Sequence, residues 1–384
     1  MTTSRDNDEH FLHRAHDLAR HGIGLASPNP CVGALIVDTN GSIVGSGSHT
    51  YEGVKHAEIL AIEQAGEKAR GATLYINLEP CSHQGRTPPC ADAVIAAGIS
   101  RVVASMQDPN PLVGGRGFAK LRDAGIEVSS GMLEEEAKTL NKSFAKYIRH
   151  HVPLVTLKAA MTLDGKIAPP ASRSRPTEHS TRTDWITGES ARAHVQELRH
   201  QHDAILVGVG TVIADDPLLT DRSGRARRRP LLRVVLDSRL RLPLESRVVK
   251  TAAEDVLVLC SFAEEKKKKQ LLKLGVRVEQ LPRANSQGHP EMAAVLRFLG
   301  RTEITSLMIE GGSIVNAAAL SAGIVDKVFL YYAPSILGGT TAVPFAGGMG
   351  FATIAGAAYV KSIRLHRFGE DFAVEGYLKD PYAD

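Results

Sequence analysis

One histidine and two cysteines constrain this chain more than any other feature of its sequence. His56-Ala57-Glu58 is followed, after one strand's length of residues, by Pro80-Cys81 and then by Cys90. A neutral imidazole and two thiolates are ligands that zinc prefers, and three protein ligands leave a fourth position open for water. The pattern therefore predicts a metal site built where several elements of an α/β domain meet.

The position of Glu58 narrows the chemistry of that site. A carboxylate two residues after the histidine, and not itself a ligand, is what a zinc-bound water needs as a proton shuttle. This combination is typical of zinc deaminases that act on cytosine-like or adenine-like rings. The alternative is a surface histidine and glutamate on a helix, with two unrelated buried cysteines. Eight residues (82–89) separate the two cysteines, whereas the common pattern has two, so we predict an inserted loop in the site.

The segments around these residues predict a formed site. Residues 73–78 are β-branched and apolar, which predicts a buried strand that ends near Cys81. Pro88 and Pro89 predict a helix start, where the helix dipole favours a Cys90 thiolate. An apolar face predicts a second helix that begins near His56 and carries Glu58 in its first turn.

The length, charge and cysteine content of the chain limit the class of protein to which it can belong. The chain of 384 residues is long enough for two domains, and it contains no apolar run of about 18 residues that would span a membrane. The polar N-terminus lacks a hydrophobic signal region, and four cysteines do not make a disulfide framework. We expect Cys31 and Cys260 to be buried or semi-buried free thiols in a reducing cytoplasm.

The net charge of +4 depends partly on arginines clustered around Gly224. The leading interpretation is a solvated loop, and the second is attraction for phosphorylated substrates. A nucleic-acid surface would need interleaved aromatic residues for stacking, and this cluster has none.

The order of predicted elements indicates two α/β domains. A hairpin turn at residues 38–41, followed by alternating helices and strands, predicts a three-layer domain over residues 1–148. His150-His151-Val152-Pro153 then punctuates the chain, and a second α/β pattern covers residues 149–384. The two halves show no internal repeat.

Two glycine-containing turns in the second half are candidate phosphate cradles. Gly311-Gly312 follows a predicted strand and precedes a helix, and Gly208-Val209-Gly210-Thr211 follows another strand. Neither turn is the G-x-G-x-x-G fingerprint, and glycine turns after strands are common, so an ordinary turn is the alternative for both. Trp185 is either a core residue or a cofactor platform.

Longer motifs carry a resemblance to one family. In the first half they are Ser27-Pro28-Asn29-Pro30-Cys31-Val32-Gly33, His56-Ala57-Glu58, Asn77-Leu78-Glu79-Pro80-Cys81-Ser82-His83, Gly85-Arg86-Thr87-Pro88-Pro89-Cys90 and Asp108-Pro109-Asn110-Pro111. In the second half they are Lys158-Ala159-Ala160-Met161-Thr162-Leu163-Asp164-Gly165, Asp184-Trp185-Ile186-Thr187, the run from Gly210 to Thr220, and Glu310-Gly311-Gly312. They resemble the RibD family, whose members fuse a pyrimidine deaminase to a reductase in riboflavin biosynthesis. The long loop between the cysteines is typical of that family.

The resemblance implies a cytidine-deaminase-like α/β/α domain and a dihydrofolate-reductase-like α/β domain. The first would hydrolyse the 2-amino group of 2,5-diamino-6-(5-phosphoribosylamino)pyrimidin-4(3H)-one, and the second would reduce the ribosyl unit to ribityl with NADPH. The product would be 5-amino-6-(5-phosphoribitylamino)uracil. The resemblance also implies a homo-oligomer with no nucleic-acid or membrane partner.

Site residues follow from the same motif match. One zinc ion per chain would be held by His56, Cys81 and Cys90, with Glu58 as the catalytic proton shuttle. NADP contacts would be made by Ala160, Trp185, Thr211, Asp215, Ser238, Gly312, Ser313, Ile314, Val315, Asn316, Ala317 and Ala318. Substrate contacts would be made by Thr183, Arg199, Leu219, Arg222 and Glu310, the arginines suiting a phosphate because guanidinium matches its geometry.

One region departs from the family pattern, and two other functions stay open. Residues 168–182 are longer and more basic than the family pattern, which makes Thr183 the weakest match, and this insertion is a surface loop or a flap. One alternative is a second half that serves assembly alone, and its nucleotide-binding motifs argue against this. A nucleic-acid deaminase is the other alternative, and the sparse aromatic residues argue against it.

Overall fold

A computed structural model describes residues 4–84, 88–170, 185–284 and 288–383. Its contacts divide the chain into two compact units. The first contains Met1–His151 together with Ala226–Arg229, and the second contains Val152–Arg225 and Pro230–Ala383. Within the described ranges, no helix is both long and apolar enough to cross a membrane.

The first unit is a five-stranded sheet between helices. Its elements are α1 (Ser4–Arg20), β1 (Gly33–Val37), β2 (Ile43–Ser48), α2 (Ala57–Ala65), β3 (Thr73–Leu78), α3 (Cys90–Ala96), β4 (Arg101–Met106), α4 (Arg116–Asp123), β5 (Glu127–Ser130) and α5 (Glu134–His150). The strand order is β2-β1-β3-β4-β5. β1 pairs antiparallel with β2 and β3, and β3, β4 and β5 are parallel. The predicted hairpin, strand and helix starts around the metal motif are confirmed.

Helices cover both faces of this sheet. Leu12 and Ala15 of α1 pack with Leu35 and Val37 of β1 on one face. On the other face α2 lies directly against β2, where a side chain at Gly47 would place its Cβ 2.1 Å from the carbonyl oxygen of Ala57. This close approach requires glycine and fixes the start of α2 against the sheet.

The second unit contains the remaining elements. They are β6 (Leu154–Thr162), β7 (Lys166–Ala168), α6 (Glu189–His200), β8 (Ala204–Gly208), α7 (Val209–Asp215), β9 (Leu232–Leu236), α8 (Arg247–Lys250), β10 (Val256–Cys260), α9 (Glu265–Lys273), β11 (Val276–Gln280), α10 (Met292–Arg301), β12 (Ser306–Ile309), α11 (Ser313–Ser321), β13 (Lys327–Ala333), β14 (Val343–Pro344), β15 (Lys361–Phe368) and β16 (Asp371–Tyr377).

Its main sheet, in the part of the chain that the structure describes, has nine strands in the order β11-β10-β9-β8-β12-β6-β13-β16-β15. The strands from β11 to β13 are parallel, and β16 and β15 extend the sheet in antiparallel fashion. Along β8, Ile205 and Val207 belong to the core on one face, while Ala204 and Leu206 belong to the core on the other. A sheet buried on both faces leaves the carboxyl ends of its strands for binding.

One interpretation of the sequence needs correction. Arg233, one of the arginines grouped around Gly224, does not lie in a solvated loop, because it is in β9 with 1 % exposure and forms a bidentate ion pair with Asp255. Of the two interpretations left open for the glycine-containing segment after β8, the ordinary turn is excluded, since Gly208 is the N-cap of α7. Cys31 is semi-buried and Cys260 is buried, and neither is in a disulfide, which confirms the predicted burial. The insertion at residues 168–182 lies mostly outside the described residues.

Candidate functional site

Three elements of the first unit bring the predicted zinc ligands together. His56 is the N-cap of α2, and Cys90 is the first residue of α3. Cys81 follows the end of β3 and accepts a hydrogen bond of 3.3 Å from the backbone N–H of Cys90. The predicted metal residues therefore meet because one strand end and two helix starts converge.

The distances in this cluster fit a zinc ion. Nδ1 of His56 lies 3.0 Å from Sγ of Cys90 and 3.6 Å from Sγ of Cys81, and all three ligand atoms are within 4.8 Å of one another. Zinc bonds of about 2.0 Å to nitrogen and 2.3 Å to sulfur separate such atoms by about 3.5 Å in a tetrahedral site.

The electrostatics of the thiols also favour a bound cation. The hydrogen bond between Cys81 and Cys90 lowers the pKa of Cys81 and raises the pKa of Cys90. Without a cation the pair therefore shares one proton, because adjacent thiolates repel each other. A divalent metal displaces that proton, since the thiolate is the ligand form.

Glu58 lies beside this cluster in the first turn of α2. It is 3 % exposed, and burial raises the pKa of its carboxyl to about 7. Its Oε2 has no hydrogen-bond partner among the described residues. A buried carboxyl with a free oxygen and a pKa near neutrality suits a group that accepts and returns a proton.

A second histidine, to which the sequence assigned no role, lies against the first. The ring of His49 is 5.2 Å from the ring of His56. Its Nδ1 lies 2.9 Å from the carbonyl oxygen of Lys55, which accepts only, so Nδ1 carries the proton. Nε2 of the neutral ring then accepts from the amide of Asn29 at 2.9 Å. Asn29 belongs to a motif quoted above, but only the fold brings it to His49.

Asp108 adds a further acidic group near the cysteines. Burial raises the pKa of its carboxyl to about 6, and the charges of His83 and Cys81 also act on it. Asp108 begins the turn Asp108-Pro109-Asn110-Pro111, in which the Asn110 N–H donates to the Asp108 carboxylate. This turn therefore borders the metal cluster.

In the second unit, predicted cofactor residues gather at the carboxyl ends of parallel strands. Gly208 ends β8 and Gly312 precedes α11, and a Cβ on Gly312 would lie 3.4 Å from Oγ1 of Thr211. The N-termini of α7 and α11 are therefore neighbours, and both direct backbone amides outward as a phosphate cradle does. Ala160 lies in β6, which pairs directly with β12.

Glu310 is the centre of a charged cluster at the same strand ends. Nε and Nη2 of Arg199 donate to its two carboxylate oxygens at 2.9 and 3.1 Å, and Nζ of Lys158 lies 3.5 Å away. Burial opposes ionisation of Glu310, but the charges of Lys158 and Arg199 outweigh it and lower the pKa to about 2. The sequence signal for Lys158 is a lysine inside an otherwise apolar, buried strand.

The two predicted phosphate arginines lie in one cluster. Nη1 of Arg199 donates to the carbonyl oxygen of Thr220, and the charge of Arg199 acts on nearby Arg222. Burial, together with Arg199 and Arg247, lowers the pKa of Arg222. Arg222 is therefore held in a positive field that a bound anion would relieve.

The remaining residues predicted to contact the cofactor or the substrate differ in burial and in their contacts. Leu219 is buried with a φ of 58°, and Trp185 is 64 % exposed with the Arg192 guanidinium 5.3 Å from its ring centroid. The Asn316 side chain is fully buried and donates to the Phe345 carbonyl oxygen. Thr183 lies outside the described residues. Ser238 follows β9, Asp215 ends α7, and the first turns of α11 hold Ser313, Ile314, Val315, Ala317 and Ala318.

Comparison with known proteins agrees with this arrangement. Residues 5–106 match the family described as the cytidine and deoxycytidylate deaminase zinc-binding region. Residues 153–374 match the RibD C-terminal domain. The two matches, with the fold and the metal cluster, define a zinc-binding deaminase domain followed by a reductase domain.

Full-length relatives identify the family. The chain is 43 % identical over 375 residues to the riboflavin biosynthesis protein RibD of Actinobacillus pleuropneumoniae, covering 97 % of this chain and 96 % of the relative. The structure of Acinetobacter baumannii RibD superposes with a TM-score of 0.82 at 35 % identity, covering 97 % of this chain and 98 % of that one.

A Thermotoga maritima structure, described as a diaminohydroxyphosphoribosylaminopyrimidine deaminase/5-amino-6-(5-phosphoribosylamino)uracil reductase, gives a TM-score of 0.82 at 37 % identity, covering 98 % of this chain and 99 % of that one. The chain belongs to the RibD family and is a bifunctional enzyme of riboflavin biosynthesis.

Proposed function

We propose that residues 1–148 form the deaminase domain and residues 149–384 the reductase domain of one enzyme that catalyses consecutive steps. The first domain deaminates 2,5-diamino-6-(5-phosphoribosylamino)pyrimidin-4(3H)-one, and the second reduces the ribosyl chain to give 5-amino-6-(5-phosphoribitylamino)uracil. The observation that carries this proposal is the convergence of His56, Cys81 and Cys90 beside the buried carboxyl of Glu58.

In the deaminase domain His56, Cys81 and Cys90 hold one zinc ion. When bound, zinc would supply an activated water for hydrolysis of the pyrimidine amine. Glu58 would accept and return the proton at its Oε2, which has no hydrogen-bond partner among the described residues, and burial raises the pKa of this carboxyl to about 7. Asn29 and His49 fix the orientation of the neighbouring His56 ring.

In the reductase domain the adjoining N-termini of α7 and α11 hold the phosphates of NADPH, which supplies the hydride. The cofactor contacts are those implied by the family match: Ala160, Trp185, Thr211, Asp215, Ser238 and the first turns of α11. Arg199 and Arg222 hold the substrate phosphate, with Thr183, Leu219 and Glu310 completing the substrate contacts. Lys158 of β6 lies beside Glu310 in the same charged cluster.

The test is to separate the two activities within the full chain. Cys81→Ser should lose zinc and deamination, while NADPH-dependent reduction of the supplied deaminated intermediate continues at a similar rate. Cys31→Ser is the matched control, because Cys31 is a semi-buried cysteine, as Cys81 is, but lies outside the ligand set. Full zinc occupancy in Cys81→Ser would contradict the ligand assignment. Equal loss of both activities would contradict the division between the domains.

We also propose that the protein is a cytoplasmic homo-oligomer with no nucleic-acid or membrane partner. β15 is the last strand of the nine-stranded sheet, and its Ile363 and Leu365 are exposed. An edge strand with exposed apolar side chains is a surface for association. Sedimentation should show an oligomer that Leu365→Glu weakens, and a monomeric wild-type protein would contradict this proposal.

A further inference from the structure

Glu79 has a buried carboxylate surrounded by backbone amides. It lies two residues before Cys81 and is 3 % exposed. Its Oε2 accepts from the N–H groups of Asp108 and Gly115 at 3.0 and 2.8 Å. Its Oε1 accepts from Gly117 and Phe118 at 2.8 and 3.2 Å. Four amides from one distant segment therefore neutralise a carboxylate beside the metal cluster.

The backbone of residues 108–118 packs against Glu79 and Pro80 with no room for a side chain at the contact. A Cβ on Gly117 would lie 2.0 Å from the carbonyl oxygen of Pro80 and 3.0 Å from Oε1 of Glu79. Only glycine permits this contact, so residues 108–118 are docked on the peptide that leads into Cys81. The backbone N–H of Glu79 also donates to the carbonyl oxygen of Met106, which holds the start of the same segment.

This docking determines where the turn Asp108-Pro109-Asn110-Pro111 lies. The N–H of Asp108 is fixed by Glu79, and the Asp108 carboxylate in turn accepts the N–H of Asn110. Because Glu79 lies two residues before Cys81, the turn is held beside the peptide that leads into the metal cluster. A shift of the segment would therefore move an acidic group and an amide at the border of the metal cluster.

We propose that Glu79 is a positioning residue of the deaminase. Through its four amide contacts it holds residues 108–118, and with them the Asp108–Pro111 turn as one wall of the pyrimidine pocket. This inference rests on the proposed deaminase site. Glu79 contacts neither substrate nor metal and exchanges no proton. It acts through the turn, and a glutamine cannot replace it, because the side-chain NH₂ group would face two backbone N–H donors.

The experiment compares Glu79→Gln with Glu135→Gln in the full chain. The control removes the same charge from an exposed side chain of the first unit, which is 82 % exposed in its ion pair with Lys138. Deaminase kcat and KM are measured per bound zinc, and reduction of the supplied intermediate is measured in the same preparations. We expect Glu79→Gln to bind zinc normally, to lose about tenfold or more in deaminase kcat/KM, and to keep its reductase rate. The control should change neither activity.

Two further variants test whether Glu79 acts through the turn. Gly117→Ala breaks the same docking without changing a charge and should reproduce the loss per zinc. The double variant Glu79→Gln/Asp108→Asn should be no slower than Asp108→Asn alone, because coupled residues are not additive.

Several results would overturn the proposal. Unchanged kcat/KM per zinc in Glu79→Gln, additive losses in the double variant, or an Asp108→Asn variant with full activity would each do so. Loss of zinc in both Glu79→Gln and Gly117→Ala would instead assign the carboxylate to the metal site. A wild-type protein without deaminase activity would contradict the proposed function, and this inference would fail with it. An active wild-type protein with any of the results above would contradict this inference alone, so the two failures are distinguishable.

Discussion

The properties of the Glu58 carboxyl depend on its being shielded from water. Its carboxyl is buried in the first turn of α2, its pKa is raised to about 7, and one oxygen is unpartnered among the described residues. These features suit a proton acceptor beside the three predicted metal ligands.

The first prediction concerns that carboxyl. Glu58→Gln keeps the side-chain size but cannot accept a proton, so deamination should fall by about a hundredfold or more while zinc remains bound. Zinc analysis together with an ammonia-release assay measures both properties. Near-normal turnover with zinc bound would move the proton shuttle to another group, and Glu135→Gln is again the exposed control.

A second prediction separates the roles of the two phosphate arginines. Arg222→Ala should raise the reductase KM for the phosphorylated substrate with little change in NADPH affinity or deamination. Arg199→Ala should do the same and also destabilise the second unit by about 3 kcal/mol, because Glu310 stays buried with one cation fewer. Arg225→Ala, at an exposed ion pair with Glu197, is the control.

Steady-state kinetics, NADPH binding and thermal unfolding measure these effects. An Arg199→Ala protein with weakened NADPH binding and an unchanged substrate KM would show that Arg199 belongs to the cofactor side of the site.

Some of these residues could be identified from sequence and others could not. The grouping of His56, Cys81 and Cys90 could be predicted from their residue types and spacing, and the structure brings their ligand atoms within 4.8 Å of one another. The pairing of Asn29 with His49 and of Lys158 with Glu310 joins side chains far apart in sequence. Such pairs depend on strand order, which a single sequence does not specify.

Helix α1 contributes a titratable group to the core of the first unit. His16 is 1 % exposed, and its Nε2 lies 2.8 Å from Oγ of Ser105 in β4. Burial lowers the pKa of His16 from 6.5 to about 4. The folded protein therefore keeps this ring neutral at pH values where the unfolded chain protonates it.

The third prediction follows from that difference. The contribution of His16 to stability is complete above pH 6.5 and is lost progressively as the pH falls towards about 4, up to about 3 kcal/mol. His16→Gln should reduce the slope of unfolding free energy against pH over this range, whereas exposed His13→Gln on the same helix should not. Denaturant unfolding of the first unit at several pH values measures the slopes. Equal slopes in His16→Gln and wild type would contradict the assignment.

Buried apolar strands could be predicted, and short connecting elements could not. The continuous apolar run of β8 predicted a strand, and the glycines after β12 predicted the start of a helix. The start of α7, Gly208-Val209-Gly210-Thr211, has the composition of a loop, so the sequence left a phosphate cradle and an ordinary turn open. The left-handed Leu219 has no sequence signal at all. Buried Arg199 and Arg233 hold the carbonyl groups of Thr220 and Leu218 on either side of it.

At the scale of the whole molecule, two units with separate cores each carry one site. The candidate metal cluster lies at the five-stranded sheet, and the residues predicted to contact the cofactor and the phosphate lie at the nine-stranded sheet. The sequence predicted two domains from the change of pattern near residue 150. The sequence did not indicate that residues 226–229 belong to the first unit, because they lie far along the chain from its other residues.

The fourth prediction concerns the ratio of ammonia released to NADPH oxidised. It tests the central claim that one chain performs both steps. Purified zinc-loaded protein given the diamino phosphoribosyl substrate without NADPH should release equimolar ammonia and then stop. Added NADPH should then be oxidised in an amount equal to the ammonia released. Oxidation of NADPH without prior ammonia release, or ammonia release that no NADPH oxidation follows, would contradict the account.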